Sequence, residues 1–372
     1  MGNLMRRTLA IAAGGGGDAV TAAILARTLA DQRDIVAIMS WSWDRLMIDP
    51  TPGPRGRNDF IGLTDHGGIA QVTPQSRLRG PGRSTLVRLA AEVQLPLLLL
   101  DGARGAVGLG EQFRTAAQVF GADELIIVDV GGDVVASGHE PGLRSPLADS
   151  LVVAGAERSG VPAEVVVTGL GLDAELTMGE ARAALAARGG ELLPAVVSAA
   201  DAAPFGRVWD WHPSEANGML SVAAVGWRGV VEPQRDSRVY ITDDVVGIYQ
   251  VSLDATVAGS LAEHLLTTGS LGDAEDRLRA VWGASEIDYE RRKAASRPVA
   301  RTPDDTTVEV VDRHATEAAG RGIDAVTVRR LCELTAATGV AESACLRALL
   351  ARERVTQFRP PLFLTRRQPD RP

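Results

Sequence analysis

The sequence predicts a doubly wound α/β fold: a mostly parallel sheet with helices on both faces. Three observations predict it. Short runs of Val, Ile and Leu alternate with helical segments through the first two thirds of the chain. Those runs are continuous rather than alternating, the pattern of strands covered on both faces. Glycines and carboxylates collect where the runs end, and open parallel sheets bind ligands beyond the carboxyl ends of their strands. A length of 372 residues at 45% hydrophobic and 23% charged supplies a sizeable core.

In order, Thr8–Ala13 reads as the first strand, Ala19–Ala30 as an alanine-rich helix and Ile35–Ser40 as the second strand. Pro52, Gly53, Pro54 and Gly56 make a turn cluster in a loop-rich stretch from Pro50 to Pro81. Helix Ser84–Val93 precedes strand Leu95–Leu100, and helix Gly110–Phe120 precedes strand Glu124–Val130. Ser145 and Pro146 read as the N-cap and first turn of a helix to Ser159. Strand Glu164–Thr168 and helix Thr177–Arg188 follow. The expected organisation is a Rossmann-like α/β domain over residues 1–285, carrying the active site, and a linker with a small C-terminal helical appendage over 286–372. Within the appendage, Ala325–Ala337 and Ala341–Arg352 read as a helical hairpin or a helix-turn-helix, and the tail from Pro360 as frayed.

Composition narrows the chemistry. Net charge is -8, so the chain is a poor general binder of phosphate backbones and nucleic acid is not an expected partner. Residues 286–372 nevertheless carry 16 basic against 13 acidic side chains. Lys293 is the single lysine among 39 basic residues, a bias expected of a GC-rich bacterial genome. With no lysine near a glycine-rich loop, a Walker-type NTPase is excluded. Lys293 itself reads as part of a polar connecting stretch, which sets Schiff-base chemistry aside. Cys332 and Cys345 match no zinc spacing, and thiol catalysis is not expected. No apolar run reaches about 18 residues, so the expectation is a cytoplasmic protein without a membrane partner. Homo-oligomerisation stays open.

The candidate site is assembled from strand ends. Gly14, Gly15, Gly16 and Gly17 permit close backbone approach before a helix N-terminus, a place for an anion or nucleotide edge. Asp18 either caps that helix or touches the ligand. Trp41 and Trp43 either pack in the core or wall a ring, with Arg45 beside them. The strongest constellation is Asp129-Val130-Gly131-Gly132-Asp133, continuing to His139, Glu140, Ser145 and Asp149. Crowding carboxylates in one glycine-marked turn is costly unless they bind something. Asp129 and Asp133 suit Mg²⁺ or Mn²⁺, or else the hydroxyls of a sugar, and Asp133, His139, Glu140 and Glu175 are candidates for acid–base work. Asp173 either caps a helix or joins the site, and Ser214 and Glu215 follow an aromatic turn containing His212. A Gly-x-Ser-x-Gly nucleophile motif is absent.

Together these motifs carry a resemblance. Gly14-Gly15-Gly16-Gly17-Asp18, the turn Asp49-Pro50-Thr51-Pro52-Gly53-Pro54-Arg55, Asp129-Val130-Gly131-Gly132-Asp133 and the run from Glu140 to Asp149 resemble the "domain of unknown function 1152" family of archaea and actinobacteria, over about residues 8 to 255. The chain departs from that family's pattern at Asp44, where the family has Glu, and at Ala174, where it has Gly. The resemblance implies the fold and the site and brings no activity with it.

Two functions are expected from these residues. The first is an enzyme acting on a phosphorylated sugar or nucleotide-like metabolite, by group transfer or hydrolysis, with Mg²⁺ as the candidate cofactor. The alternative is a ligand sensor whose helical tail contacts DNA or a protein through Arg329, Arg330, Arg347, Arg352 and Arg354.

Overall fold

The computed structural model describes residues 5–233 and 237–366. Five parallel strands form its centre: β1 (Arg6–Ala12), β2 (Arg33–Trp41), β3 (Leu97–Leu100), β4 (Glu124–Val130) and β5 (Ala163–Thr168). They lie in the order β3-β2-β1-β4-β5. The chain runs outward from β1 through β2 to β3, then crosses back to β4 and β5. A topological switch point therefore lies between β1 and β4, where diverging loops leave a crevice.

Antiparallel strands extend both edges to make nine strands. Gly247–Ser252 and then Glu191–Val196 lie beside β5; Ile69–Val72 and then Thr64–His66 lie beside β3. None of these four was expected. Glu191–Val196 explains why: it contains Pro194 and alternates exposed with half-buried residues, a solvated edge rather than a buried run.

The strands bury both faces. On β4, Leu125 and Ile127 join one core with Phe113 of helix α2 (Gly105–Phe120) and Leu147 of helix α3 (Pro146–Ser159). Ile126 and Val128 join the other, with Ile24 and Leu25 of helix α1 (Asp18–Thr28). This is the doubly wound arrangement the apolar runs imply. The helices α2 and α3 approach closely because each offers a glycine. A Cβ on Gly155 would lie 2.7 Å from the Leu109 Cβ and 3.0 Å from Phe113.

The C-terminal segment carries helices Asp305–Gly320, Val328–Leu334 and Val340–Glu353, but it is not simply a helical appendage. Ala325–Thr327, Phe358–Arg359 and Leu362–Leu364 are strands. With Gly229–Glu232 and Val239–Ile241 they complete a second sheet of five strands. The expected helix from Ala325 thus opens as a strand, and the expected frayed tail pairs at Leu362–Leu364. The partners that decide both outcomes lie far away in the sequence, beyond the reach of local pattern. The rest of that tail, residues 367–372, lies outside the described residues. No helix among the described residues is long and apolar enough to cross a membrane.

The glycine contact between α2 and α3 is open to test. Gly155→Ala should lower stability by about 1–3 kcal/mol through overpacking against Leu109 and Phe113. Urea denaturation measures it, and an unchanged midpoint would mean that the helices separate at no cost.

Candidate functional site

The two ends of β4 treat buried charge differently. At its start, Glu124 is buried and compensated: Arg6 donates at 2.8 Å, Thr8 Oγ1 at 3.0 Å, and Arg33 pairs with it. At its end, Asp129 is 1% exposed and faces other carboxylates. Here the loops after β1, β4 and β5 enclose a cavity of about 130 Å³. Ten carboxyl side chains line it, against Arg45, Arg329 and His212.

Backbone geometry brings them together. Gly131 and Gly132 have φ of +133° and +107°, so the chain reverses tightly after β4 and Gly132 N donates to Asp129 Oδ2 at 2.8 Å. A Cβ on Gly131 would collide with the Asp173 carboxyl group. Gly171 N donates to Gly131 O at 2.8 Å, which ties the β5 loop to the β4 loop. Asp173 Oδ1 accepts from Glu175 N at 2.9 Å, and Thr177, not Asp173, caps the following helix.

Asp18 does not cap its helix. Its Oδ2 accepts from Gly14 N at 2.9 Å and its Oδ1 from Asn217 Nδ2 at 2.9 Å. The glycine run lines the cavity, but much of its smallness serves packing. A Cβ on Gly16 would lie 2.8 Å from Thr85 Oγ1, and one on Gly17 would strike Ser214. Trp41 is wholly buried, its Nε1 donating to Ala13 O, whereas Trp43 lines the cavity.

One carboxylate oxygen each from Asp18, Asp129 and Asp149 lies within 4.8 Å of the other two. Asp149 sits in the first turn of α3, and its Oδ1 is buried without a hydrogen-bond partner among the described residues. Burial pushes Asp18 up to about 6 against the bonds from Asn217 and Gly14. Asp129, Asp133 and Asp149 are held well above the usual carboxylate range, first by burial and then by one another and their acidic neighbours. Asp133 supports Asp129 through a side-chain hydrogen bond but lies outside the group of three. The oxygens close enough to share a cation are those of Asp18, Asp129 and Asp149, a group that keeps the expected Asp129 and leaves Asp133 beside it.

Three further expected residues sit elsewhere than anticipated or hold other partners. His139 is exposed and does not line the cavity. Glu140 accepts from Ser137 N, Ser137 Oγ and Gly138 N, closing its own turn away from the cavity. Glu175 does line the cavity, yet its oxygens accept from Arg144 N at 2.6 Å, Ser145 N at 3.0 Å and the Ser145 hydroxyl. It positions the α3 loop. Ser145 is therefore engaged with Glu175, and the free N–H of Leu147 in α3 donates to Glu286 Oε2 at 2.8 Å instead.

Glu286 and Glu290 were not among the expected residues. They stand one turn apart on the Glu286–Ala295 helix, a spacing that puts both on one face. Glu290 Oε2 accepts from Trp43 Nε1 at 3.0 Å and Gly53 N at 2.8 Å. Lys293 lies on the same helix rather than in a connecting stretch. This helix also walls a vestibule of about 470 Å³ that shares Arg45, Ser145, Glu286, Glu290 and Arg329 with the acidic cavity. Six basic side chains line the vestibule, including Arg144, Arg292, Lys293 and Arg297, against three glutamates. An acidic floor thus opens into a basic mouth.

The arginines expected to reach DNA are mostly turned inward. Arg329 pairs with Glu215 at 3.2 Å, Arg330 with Glu232 and Arg354 with Asp312, while Arg347 donates to Trp209 O at 3.0 Å.

Fold and site define a doubly wound α/β protein with a carboxylate cavity at its switch point. The chain belongs to the family described as "Protein of unknown function (DUF1152)", whose profile matches residues 9–294. That match runs beyond the span expected from the motifs and takes in Glu286 and Glu290. No curated protein and no solved structure matches the chain.

Two predictions follow from the geometry. Ala174 has φ +62°, a left-handed backbone that a residue with a Cβ rarely adopts. Ala174→Gly should raise stability by about 0.5–1 kcal/mol, the left-handed strain removed less the added chain entropy; calorimetry decides, and a lower melting temperature would refute it. Glu286 is pushed up to about 8 from 4.5, by burial and then by Glu290. Folding therefore takes up a proton between those two values, and stability is lost as pH rises through that window. Glu286→Gln should melt higher than the native chain at pH 8 and indistinguishably near pH 4.5. A gain independent of pH would contradict this.

Proposed function

We propose that this protein is a divalent-cation-dependent enzyme acting on a phosphorylated sugar or nucleotide-like metabolite, by hydrolysis or group transfer. The observation that carries the reading is the group Asp18, Asp129 and Asp149, three buried carboxylates with oxygens within 4.8 Å of one another and one oxygen left without a partner. So much buried negative charge is unfavourable when empty and favourable around a cation. Mg²⁺ suits a carboxylate site that completes its shell with water and substrate phosphate.

The neighbouring vestibule supports an anionic substrate. Arg45 and Arg329 line both spaces, where a phosphate group would meet guanidinium on one side and the cation on the other. A bound cation would draw charge from phosphoryl oxygens and lower the pKa of a coordinated water. Asp133, next to Asp129 and partly buried, is the group best situated to accept a proton. Asn217 and Thr21 brace Asp18: Thr21 Oγ1 donates to Asn217 Oδ1 at 2.5 Å.

Metal binding is the test. A Mn²⁺ titration followed by electron paramagnetic resonance should find a saturable site. Saturating Mg²⁺ should stabilise the protein, by about 2.7 kcal/mol at 100 times its Kd. Asp149→Asn should lose that response while the metal-free variant melts at or above the native temperature, because a buried charge has gone. A variant that still responds fully to Mg²⁺ would sink the reading. Ribose phosphate and adenosine monophosphate, tested with and without Mg²⁺, then probe the substrate class.

A further inference from the structure

A second cavity, of about 950 Å³, lies between the segment 74–91, the turn at Asp210 and Trp211, and the Val340–Glu353 helix. Its electrostatics are opposite to those of the acidic cavity. Arg77, Arg83, Arg88 and Arg347 line it, and Asp210 is the one carboxylate in its wall. None of the four arginines forms an ion pair among the described residues. Three of them are exposed at the rim, but Arg347 is 7% exposed. Its Nη1 donates to Trp209 O, and its Nε is buried without a hydrogen-bond partner. A buried guanidinium with no ion pair, only the longer-range pull of Asp210, and an idle N–H is costly unless something anionic completes it.

An aromatic wall adds to this. Trp211 lines the cavity, Arg88 lies 4.4 Å over its ring, and the Trp211 Nε1 is also buried without a partner. Val87, Ala344, Ala348 and Phe358 supply apolar surface. Guanidinium groups bind phosphate, sulfonate and carboxylate through paired N–H groups and stack on flat rings. The volume is that of a small-molecule site, mostly apolar with a few convergent polar groups.

We propose that this cavity is a second ligand site, for a small organic anion with a flat apolar body, its acidic group held by Arg347 and its ring lying against Trp211 and Arg88. The site is independent of cation binding at Asp18, Asp129 and Asp149 and does not rest on that reading.

Anilinonaphthalene sulfonate is the probe, because it joins a flat ring system to one acidic group; phenylnaphthylamine is the same ring system without the charge. The full-length protein should bind the sulfonate saturably, one per chain, read by fluorescence, and inorganic phosphate should compete. Arg347→Met should weaken the sulfonate by at least about ten-fold, which is about 1.4 kcal/mol, and leave phenylnaphthylamine unchanged. Ala344→Trp, on an exposed position of the helix, should fill the cavity and abolish both. If Arg347→Met does not fold, Ala344→Trp decides alone. Asp149→Asn should leave dye binding untouched. Absence of saturable binding, equal binding by native chain and both variants, or loss of binding in Asp149→Asn would each overturn the proposal.

Discussion

Uncompensated negative charge at the carboxyl end of β4 is the constraint around which this protein is built. A buried carboxylate is tolerated when bonds or cations answer it. Glu124, at the other end of the same strand, is answered by Arg6, Arg33 and Thr8. Asp129 is answered by Gly132 N and by Asp133, itself an acid. Around it the chain spends its most permissive backbone and its helix N-termini. Gly131 brings Asp173 close, Asn217 and Gly14 N hold Asp18, and α3 carries Asp149 in its own first turn. Each device makes the negative charge bearable, and none neutralises it.

The C-terminal segment supplies the opposite sign. Its excess of basic over acidic residues looks in sequence like an outward surface for an acidic partner. In the fold much of it is internal: Arg329 meets Glu215, Arg330 meets Glu232, and Lys293 and Arg297 stand in the vestibule. The Glu286–Ala295 helix then places two more acids at the cavity itself. Charge asymmetry along the chain thus reports an internal division of labour between floor and mouth. The three strands that the segment donates to the second sheet fasten it to Gly229–Glu232, so floor and mouth belong to one structure.

What was legible in the sequence was whatever is local. The five central strands are continuous apolar runs, and their ends carry the glycines and acids that the fold gathers around one cavity. That logic finds Asp18, Asp129, Asp149 and Asp173. It misplaces His139 and Glu140 because the turn after Asp133 folds back on Ser137 and Gly138, a hydrogen-bonding choice no spacing rule encodes. It takes Glu175 for an acid catalyst where two backbone amides and a hydroxyl already claim it. Glu286 and Glu290 were invisible, and Arg329 was expected at an outward surface, for a different reason. They arrive from more than 100 residues away, and only tertiary packing brings them to the cavity. Asp44 and Ala174, expected to depart from the family pattern, meet different fates in the fold. Asp44 accepts from Thr85 N at 3.0 Å, whereas Ala174 holds a left-handed backbone that its methyl group resists.

One turn of chain stands between the two cavities of opposite charge. Trp211 faces the arginine side and His212 the carboxylate side. His212 accepts from Ser214 N through Nδ1 and is packed between Trp209 and Trp211. Burial, helped by Arg347, pushes its pKa down to about 3, so the imidazole is neutral at physiological pH. A neutral ring at this point is what an electrostatic partition requires. A charged imidazolium would neutralise part of the acidic floor and repel the arginine cluster behind it. Burial first, and Arg347 second, thus keep His212 from adding positive charge to the acidic floor, and the same guanidinium lines the cavity behind the wall.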